Sequence, residues 1–224
     1  MGSLDWLLEA VRTSRVFKRN KVSLRHKVRA CVMYMADLSY RAMTERTGLI
    51  PASHVAVHYW VRSLRRLMRV VKRRERRVVA VDETKLKLGG RQLYVWAAID
   101  VDSREVLALD TSWQRSSLNA WLFLRKMLSR CKNKPLTLID RGPWYPWALR
   151  ELGLPWSHIT FGMRNRVERW FRTLKERTRR FYNNFPSRKG ITCVKTFLET
   201  FMYWYNHLRT HQSLGAPPSE VRLS

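Results

Sequence analysis

The chain has 224 residues, with 44 Lys and Arg against 17 Asp and Glu and a formal charge of +27. Its 45% hydrophobic and 12% aromatic content supplies a packed core and excludes the composition of a disordered chain. No apolar run reaches the roughly 18 residues that span a bilayer, and residues 1–10 carry Asp5 and Glu9 where a secretory leader would be basic and then apolar. The expected setting is the cytoplasm, at the nucleoid, with no membrane partner.

Self-repulsion at +27 disfavours a folded chain unless a polyanion neutralises it. The charge is shared: residues 1–77 hold 19 basic and 5 acidic groups, and residues 78–224 hold 25 and 12. Both halves are thus expected to meet phosphates, and the expected partner is double-stranded DNA rather than a small-molecule substrate.

In chain order, residues 22–35 read as a helix apolar on one side. A short helix capped by Asp37 or Ser39 runs through Glu45 and ends at Gly48. Pro51 and Ser53 open a third helix with the stripe Val55, Val57, Trp60, Val61, Leu64 and Leu67. Helix, glycine turn and longer helix form a helix-turn-helix signature, with His54, His58, Arg62, Arg65 and Arg66 on the face a major groove would meet. An ordinary three-helix bundle is the bland alternative. Residues 1–70 form the expected DNA-binding domain and 71–77 a basic, solvated linker; Arg62 to Arg77 packs nine basic residues into sixteen positions.

From Val78 the period shortens. Strands are expected at 78–81, 93–99 and 105–109, a helix at 118–128, a strand at 136–139, a helix at 143–152, a strand at 158–161, a long helix at 163–181 and a last helix at about 194–208. The order β-β-β-α-β-α-β-α describes an α/β fold with a mixed, ribonuclease H-like sheet over residues 78–224.

Cys31, Cys131 and Cys193 lie far apart, which argues against a disulfide framework or a cysteine zinc site. His54 with His58 and His207 with His211 have i, i+4 spacing but lack the glutamate of a zinc helix, and read as surface or DNA-facing histidines.

Only seven Asp and ten Glu exist, and two of them end apolar strands: Asp82 follows 78–81 and Asp140 follows 136–139. Strand ends of open α/β sheets collect ligand sites. Two carboxylates side by side repel unless a hard cation, Mg²⁺ or Mn²⁺, lies between them. Placed at 100° per residue on the long helix, Glu168 falls on the flank of the stripe Val167, Trp170, Phe171, Leu174 and Thr178, beside Arg164, Arg172, Lys175 and Arg179. Alone it would read as an i, i+4 ion pair; with the two aspartates it reads as the third ligand. Glu83, Asp100, Asp102 and Glu176 read as structural, Glu83 because alternation turns it to the opposite face from Asp82.

Val81-Asp82-Glu83-Thr84, Ile139-Asp140, and Arg164-Asn165-Arg166-Val167-Glu168 with Lys175 seven residues on resemble the DDE transposases of insertion sequences, closest to insertion-sequence family six. Tyr205-Asn206-His207, Arg209, His211, Leu214 and Pro217 resemble the segment that closes their catalytic core. The resemblance covers residues 25–220. It implies that Asp82, Asp140 and Glu168 bind two metal ions, that Lys175 contacts transposon-end DNA, and that the enzyme works as a homodimer or higher multimer. The implied chemistry is hydrolysis at the transposon ends followed by attack of the freed 3′-hydroxyl on target DNA. The alternatives are a helix-turn-helix protein or transposase remnant without catalysis, and a nuclease that cuts without joining.

Overall fold

Three amphipathic helices open the chain: α1 (Ser3–Ser14), α2 (Leu24–Met35) and α3 (His54–Leu64), with a π-helical turn at Ala42–Arg46 between the last two. The computed structural model describes residues 3–17, 21–64, 67, 71–158, 165–179, 184–185 and 190–221. Ser23 caps α2 by accepting from the His26 N–H at 3.3 Å, and Gly48 leaves the π turn in the left-handed region at φ +63°. Leu7 and Val11 of α1 close one core with Val28 and Cys31 of α2, Met43, and Val57, Val61 and Leu64 of α3. α1 is an addition to the expected helices, which begin at residue 22. Tyr203 and Leu208 from the C-terminal region join the same core and seat the bundle on the rest of the molecule.

A six-stranded sheet follows. β1 (Val78–Leu88), β2 (Arg91–Asp100), β3 (Val106–Ser112), β4 (Leu136–Ile139) and β5 (Trp156–His158) lie in the order β3-β2-β1-β4-β5, and the short β6 (Asn184–Phe185) pairs with the end of β1. β1–β2 and β2–β3 are antiparallel; β1–β4 and β4–β5 are parallel. The sheet is mixed, as the element order predicts. α4 (Ser117–Leu128) and α5 (Tyr145–Glu151) cover one face, while α6 (Asn165–Thr178) and α7 (Gly190–Tyr203) cover the other. Alternate residues of β1 supply the two cores: Val79 and Val81 face α4 and α5, whereas Val78, Ala80, Leu86 and Leu88 face α6 and α7.

Three differences from expectation bear on the site. β1 does not stop at Val81 but runs to Leu88, because Thr84 to Leu88 alternates buried and exposed side chains and Gly89 and Gly90, both at positive φ, turn the chain back into β2. Asp82 therefore lies within a strand rather than at its end. β5 starts two residues early, at Trp156, and 159–161 lie outside the described residues. The segment 71–77 is not solvated throughout: Val71 is buried in the α4/α5 core, and the Arg76 side chain is 1% exposed. Arg76 donates to Asp100 Oδ2 at 3.2 Å and to Glu105 Oε2 at 2.6 Å, because an arginine inside a fold persists only when carboxylates meet it. Its neighbour Arg77 pairs with Asp102 at 2.5 Å, but its side chain is 68% exposed, so that contact contributes at most about 1 kcal/mol.

The edge strand β3 is closed from the C-terminal side. Asn206, buried in the π-helical turn after α7, accepts from the Val106 N–H and donates to the Val106 carbonyl, both at 2.9 Å. A side-chain amide thus occupies the hydrogen-bonding position of a further strand.

Candidate functional site

The parallel register of β1 and β4 pairs Ala80 with Leu138. β4 ends at Ile139, so the last paired residues, Ala80 and Leu138, each stand two positions before an aspartate, on neighbouring strands about 4.8 Å apart. Ala80 and Leu138 both face α6 and α7, and the period of two turns Asp82 to that side. The Asp82 side chain accepts from the Glu83 N–H at 2.9 Å, and Asp140 Oδ1 accepts from the Gly142 N–H at 2.9 Å. His158 on β5 donates through Nδ1 to the Asp140 carbonyl at 2.9 Å. Backbone and loop thus hold each carboxylate from behind.

On the opposite face of β1, where alternation places it, Glu83 is 4% exposed at its side chain. The Tyr145 hydroxyl donates to its Oε2 at 2.7 Å, and Arg115 reaches its Oε1 at 3.3 Å. The Arg115 guanidinium lies 4.3 Å from the Trp144 ring centre and 4.9 Å from that of Tyr94. Burial raises the Glu83 carboxyl above its ordinary range; the Tyr145 hydroxyl opposes this, and the negative fields of Asp82 and Asp140 add to it. Burial likewise raises Tyr145, followed by the fields of Glu83, Asp82 and Asp140. Three carboxylates therefore share one small region of the sheet, an arrangement that a cation relieves. All their donors are hard oxygens, which suits Mg²⁺ or Mn²⁺.

Glu168 stands exposed in the first turn of α6, one place after the start of the helix's buried stripe at Val167, Trp170, Phe171 and Leu174. Among the described residues, no three His, Cys, Asp or Glu side chains are gathered as a metal ion requires. Asp82 and Asp140 both act electrostatically on Glu83, and Glu168 stands on α6. Arg172, Lys175 and Arg179 are exposed along the same helix, while Arg164 lies outside the described residues.

In the N-terminal bundle, His54, His58 and Arg62 line a cleft of about 890 Å³ whose far wall is Thr192, Cys193, Thr196 and Phe197 of α7. His54 pairs with Glu45, and the His58 ring meets Tyr40 and Tyr59 edge-on at 5.5 and 5.9 Å. Tyr59 is 61% exposed on the same helix. Arg65 and Arg66 lie outside the described residues.

Sequence reasoning missed the Glu83–Tyr145–Arg115 group and Gly142. A charged residue in register with Val79 and Val81 on an apolar face was the available signal for Glu83. Gly142 gave none. A Cβ there would stand 2.7 Å from the Trp144 ring and 2.9 Å from Asp140 Oδ1, so the loop closes on the carboxylate only without a side chain.

A DDE domain family matches residues 76–211. An uncharacterised protein of Methanocaldococcus jannaschii is 36% identical over 209 residues, 93% of this chain and 98% of that one. An uncharacterised Aquifex aeolicus protein is 55% identical over 47 residues, 21% of this chain and 39% of that one. Among solved structures, the HTLV-2 integrase catalytic core domain in complex with magnesium superposes at TM-score 0.50 and 14% identity, over 66% of this chain and 96% of that one. A simian T-cell lymphotropic virus intasome chain superposes at 0.54 and 15%, over 86% and 74%. The fold is that of the integrase cores, a ribonuclease H-like sheet. Among the described residues, no helix is long and apolar enough to cross a membrane.

Proposed function

Since the chain belongs to the DDE transposases of insertion-sequence family six, we propose that it binds the terminal inverted repeats of its own element and catalyses metal-dependent strand cleavage and strand transfer. The observation that supports this most is the parallel pairing of β1 with β4, whose last paired residues, Ala80 and Leu138, each stand two positions before an aspartate on the face covered by α6. Asp82 and Asp140 would hold the cations, two of Mg²⁺ or Mn²⁺, and Glu168 would complete the set from the first turn of α6. The magnesium in the HTLV-2 neighbour supports the choice of metal. When bound, such cations polarise the phosphoryl oxygen and stabilise the attacking and leaving oxygens.

The residues themselves do the positioning. Each aspartate accepts a backbone N–H, which fixes its carboxylate for the cations it would hold. Water attacks phosphorus in line and the 3′-oxygen leaves as the end is freed; that 3′-hydroxyl then attacks a target phosphodiester and its leaving oxygen departs. Neither step needs a side-chain nucleophile. Arg172, Lys175 and Arg179 lay a cationic track beside Glu168 for the end duplex, and His54, His58, Arg62, Arg65 and Arg66 read its sequence. Two copies of the chain would hold the two ends.

The position of Glu168 supports one rival, DNA binding without catalysis. Strand transfer separates the two. The purified protein with Mg²⁺ is expected to nick and join duplexes taken from the DNA flanking its coding region. Asp82→Ala, Asp140→Ala and Glu168→Ala should each lower joining beyond the roughly 100-fold that loss of a supporting residue costs, with DNA binding retained. Joining by all three at the normal rate would overturn the site.

A further inference from the structure

Away from the aspartates, four arginines and a histidine come together from three parts of the chain. Arg104 occupies the turn between β2 and β3, Arg166 and Arg169 the start of α6, and Arg209 and His211 the segment that follows α7. The Arg104 guanidinium donates to His211, 3.0 Å from Nδ1, and to the Ser213 hydroxyl. Arg209 is held 5.4 Å from the Tyr205 ring centre and 5.6 Å from that of Trp204. Burial and then the positive field of Arg166 weaken the proton affinity of Arg104. Burial and then the fields of Arg104, Arg209, Arg166 and Arg169 lower that of His211. These groups therefore feel one another across the gaps between elements.

Several other arginines are neutralised by carboxylates. Arg76, Arg77, Arg115 and Arg177 each pair with a carboxylate. None of Arg104, Arg166, Arg169, Arg209 or His211 does so among the described residues. Arginine cannot shed its proton to escape the repulsion. His211 can, and as a neutral ring it accepts from Arg104 and fixes that guanidinium. Arg104 also sits at φ +63°, in the left-handed region that favours glycine. A strained arginine among unpaired arginines is a feature that folding alone disfavours and an anion rewards.

The cluster is separate from the proposed catalytic flank. At 100° per residue, Arg169 and Arg166 stand roughly 100° and 160° around α6 from Glu168, whereas Arg172, Lys175 and Arg179 lie within about 40° of it. Asp82 pairs with Ala97, and Asp100 before the Arg104 turn lies three residues further along β2, or roughly 10 Å. That equals about three nucleotides of rise along one DNA strand.

We propose that Arg104, Arg166, Arg169 and Arg209, with His211 orienting the first, form a second phosphodiester-binding site that grips the DNA backbone a few nucleotides from the scissile phosphate. This rests on the DNA-acting function above. Guanidinium forks match phosphate oxygens two at a time, which favours this ligand over a carboxylate-bearing peptide that single lysines would serve as well.

The test measures binding against salt for the full chain and an Arg104→Ala/Arg169→Ala/Arg209→Ala variant, with circular dichroism and melting to show that it folds. Arg169→Ala alone, at an exposed position, is the control for a misfolded triple variant. The probes are a duplex from the DNA flanking the coding region and a random-sequence duplex of equal length. The log–log salt slope should fall by about 0.9 for each phosphate contact removed. Loss on the flanking duplex alone assigns the site to the transposon end; loss on the random duplex as well assigns it to backbone shared with the target. Either outcome supports the proposal. Unchanged slopes on both duplexes in the folded variants overturn it, as does cluster-dependent binding to anionic phosphatidylserine vesicles without any effect on DNA. Strand transfer by the unaltered protein, run in parallel, keeps the two ideas apart. If the protein joins DNA but the slopes do not move, only this site falls. If the unaltered protein neither binds nor joins DNA, the function itself falls.

Discussion

Gly142 donates its N–H to Asp140 Oδ1 at 2.9 Å, and a methyl group on its Cα would reach the same oxygen at that distance. The loop after β4 thus approaches the carboxylate too closely for any side chain. Gly142→Ala is expected to displace Asp140 or the Trp144 ring and to raise the Mg²⁺ concentration needed for half-maximal joining by roughly 10–100-fold, as loss of a supporting residue does. A metal titration of strand transfer checks this; an unchanged requirement would show that the loop does not set the carboxylate.

Removing Arg76 tests the buried ion group. Asp100 and Glu105 would be left uncompensated inside the protein, and burial already holds the Glu105 carboxyl above its ordinary range, with Arg76 opposing that rise. Arg76→Ala should cost about 3–5 kcal/mol, read from urea unfolding, whereas Arg77→Ala at the exposed pair should cost under about 1 kcal/mol. Equal costs would contradict the assignment of Arg76 to the core.

Burial, then the fields of Lys72 and Arg74, lowers His207 from 6.5 to about 4. The unfolded chain therefore takes up a proton on this ring before the folded one does. The stability contributed by the neutral ring is complete above pH 6.5 and is lost as pH falls toward 4, about 3 kcal/mol in all. The urea midpoint should fall less between pH 7.5 and pH 4.5 in His207→Asn than in the unaltered protein. Parallel acid losses in both would refute this.

The three thiols should differ in reactivity. Burial raises both Cys31 and Cys131, the latter to about 11, and thiolate is the reactive form. Cys193 is partly exposed on α7. Iodoacetamide at pH 8 should alkylate Cys193 first in the native protein, with the other two following unfolding; peptide mass mapping reads the order.

The mixed sheet was legible because its strands are signalled within a few residues, as in the apolar runs 78–81 and 136–139. The full length of β1 was equally local, in the alternation from Thr84 to Leu88 and the glycine pair after it, but the four-residue run before Asp82 masked it. Leu7 and Val11, one helical turn apart, carried the signal of α1. Arg76 was not legible. It sits in a run of nine cations, and its partners lie 24 and 29 residues away, on strands whose pairing only the fold reveals. The same holds for the arginines around His211, drawn from segments up to 107 residues apart. Composition announces that positive charge must be balanced; it does not say which charges are balanced from within.

The burial of Arg76 has a mechanical corollary. It is fixed two residues ahead of β1, so any pull that a docked duplex exerts on the N-terminal bundle ends at this anchor before it reaches the strand bearing Asp82. The spacing of the two acidic strands would then stay constant under such a load, much as a cable clamp spares the joint behind it.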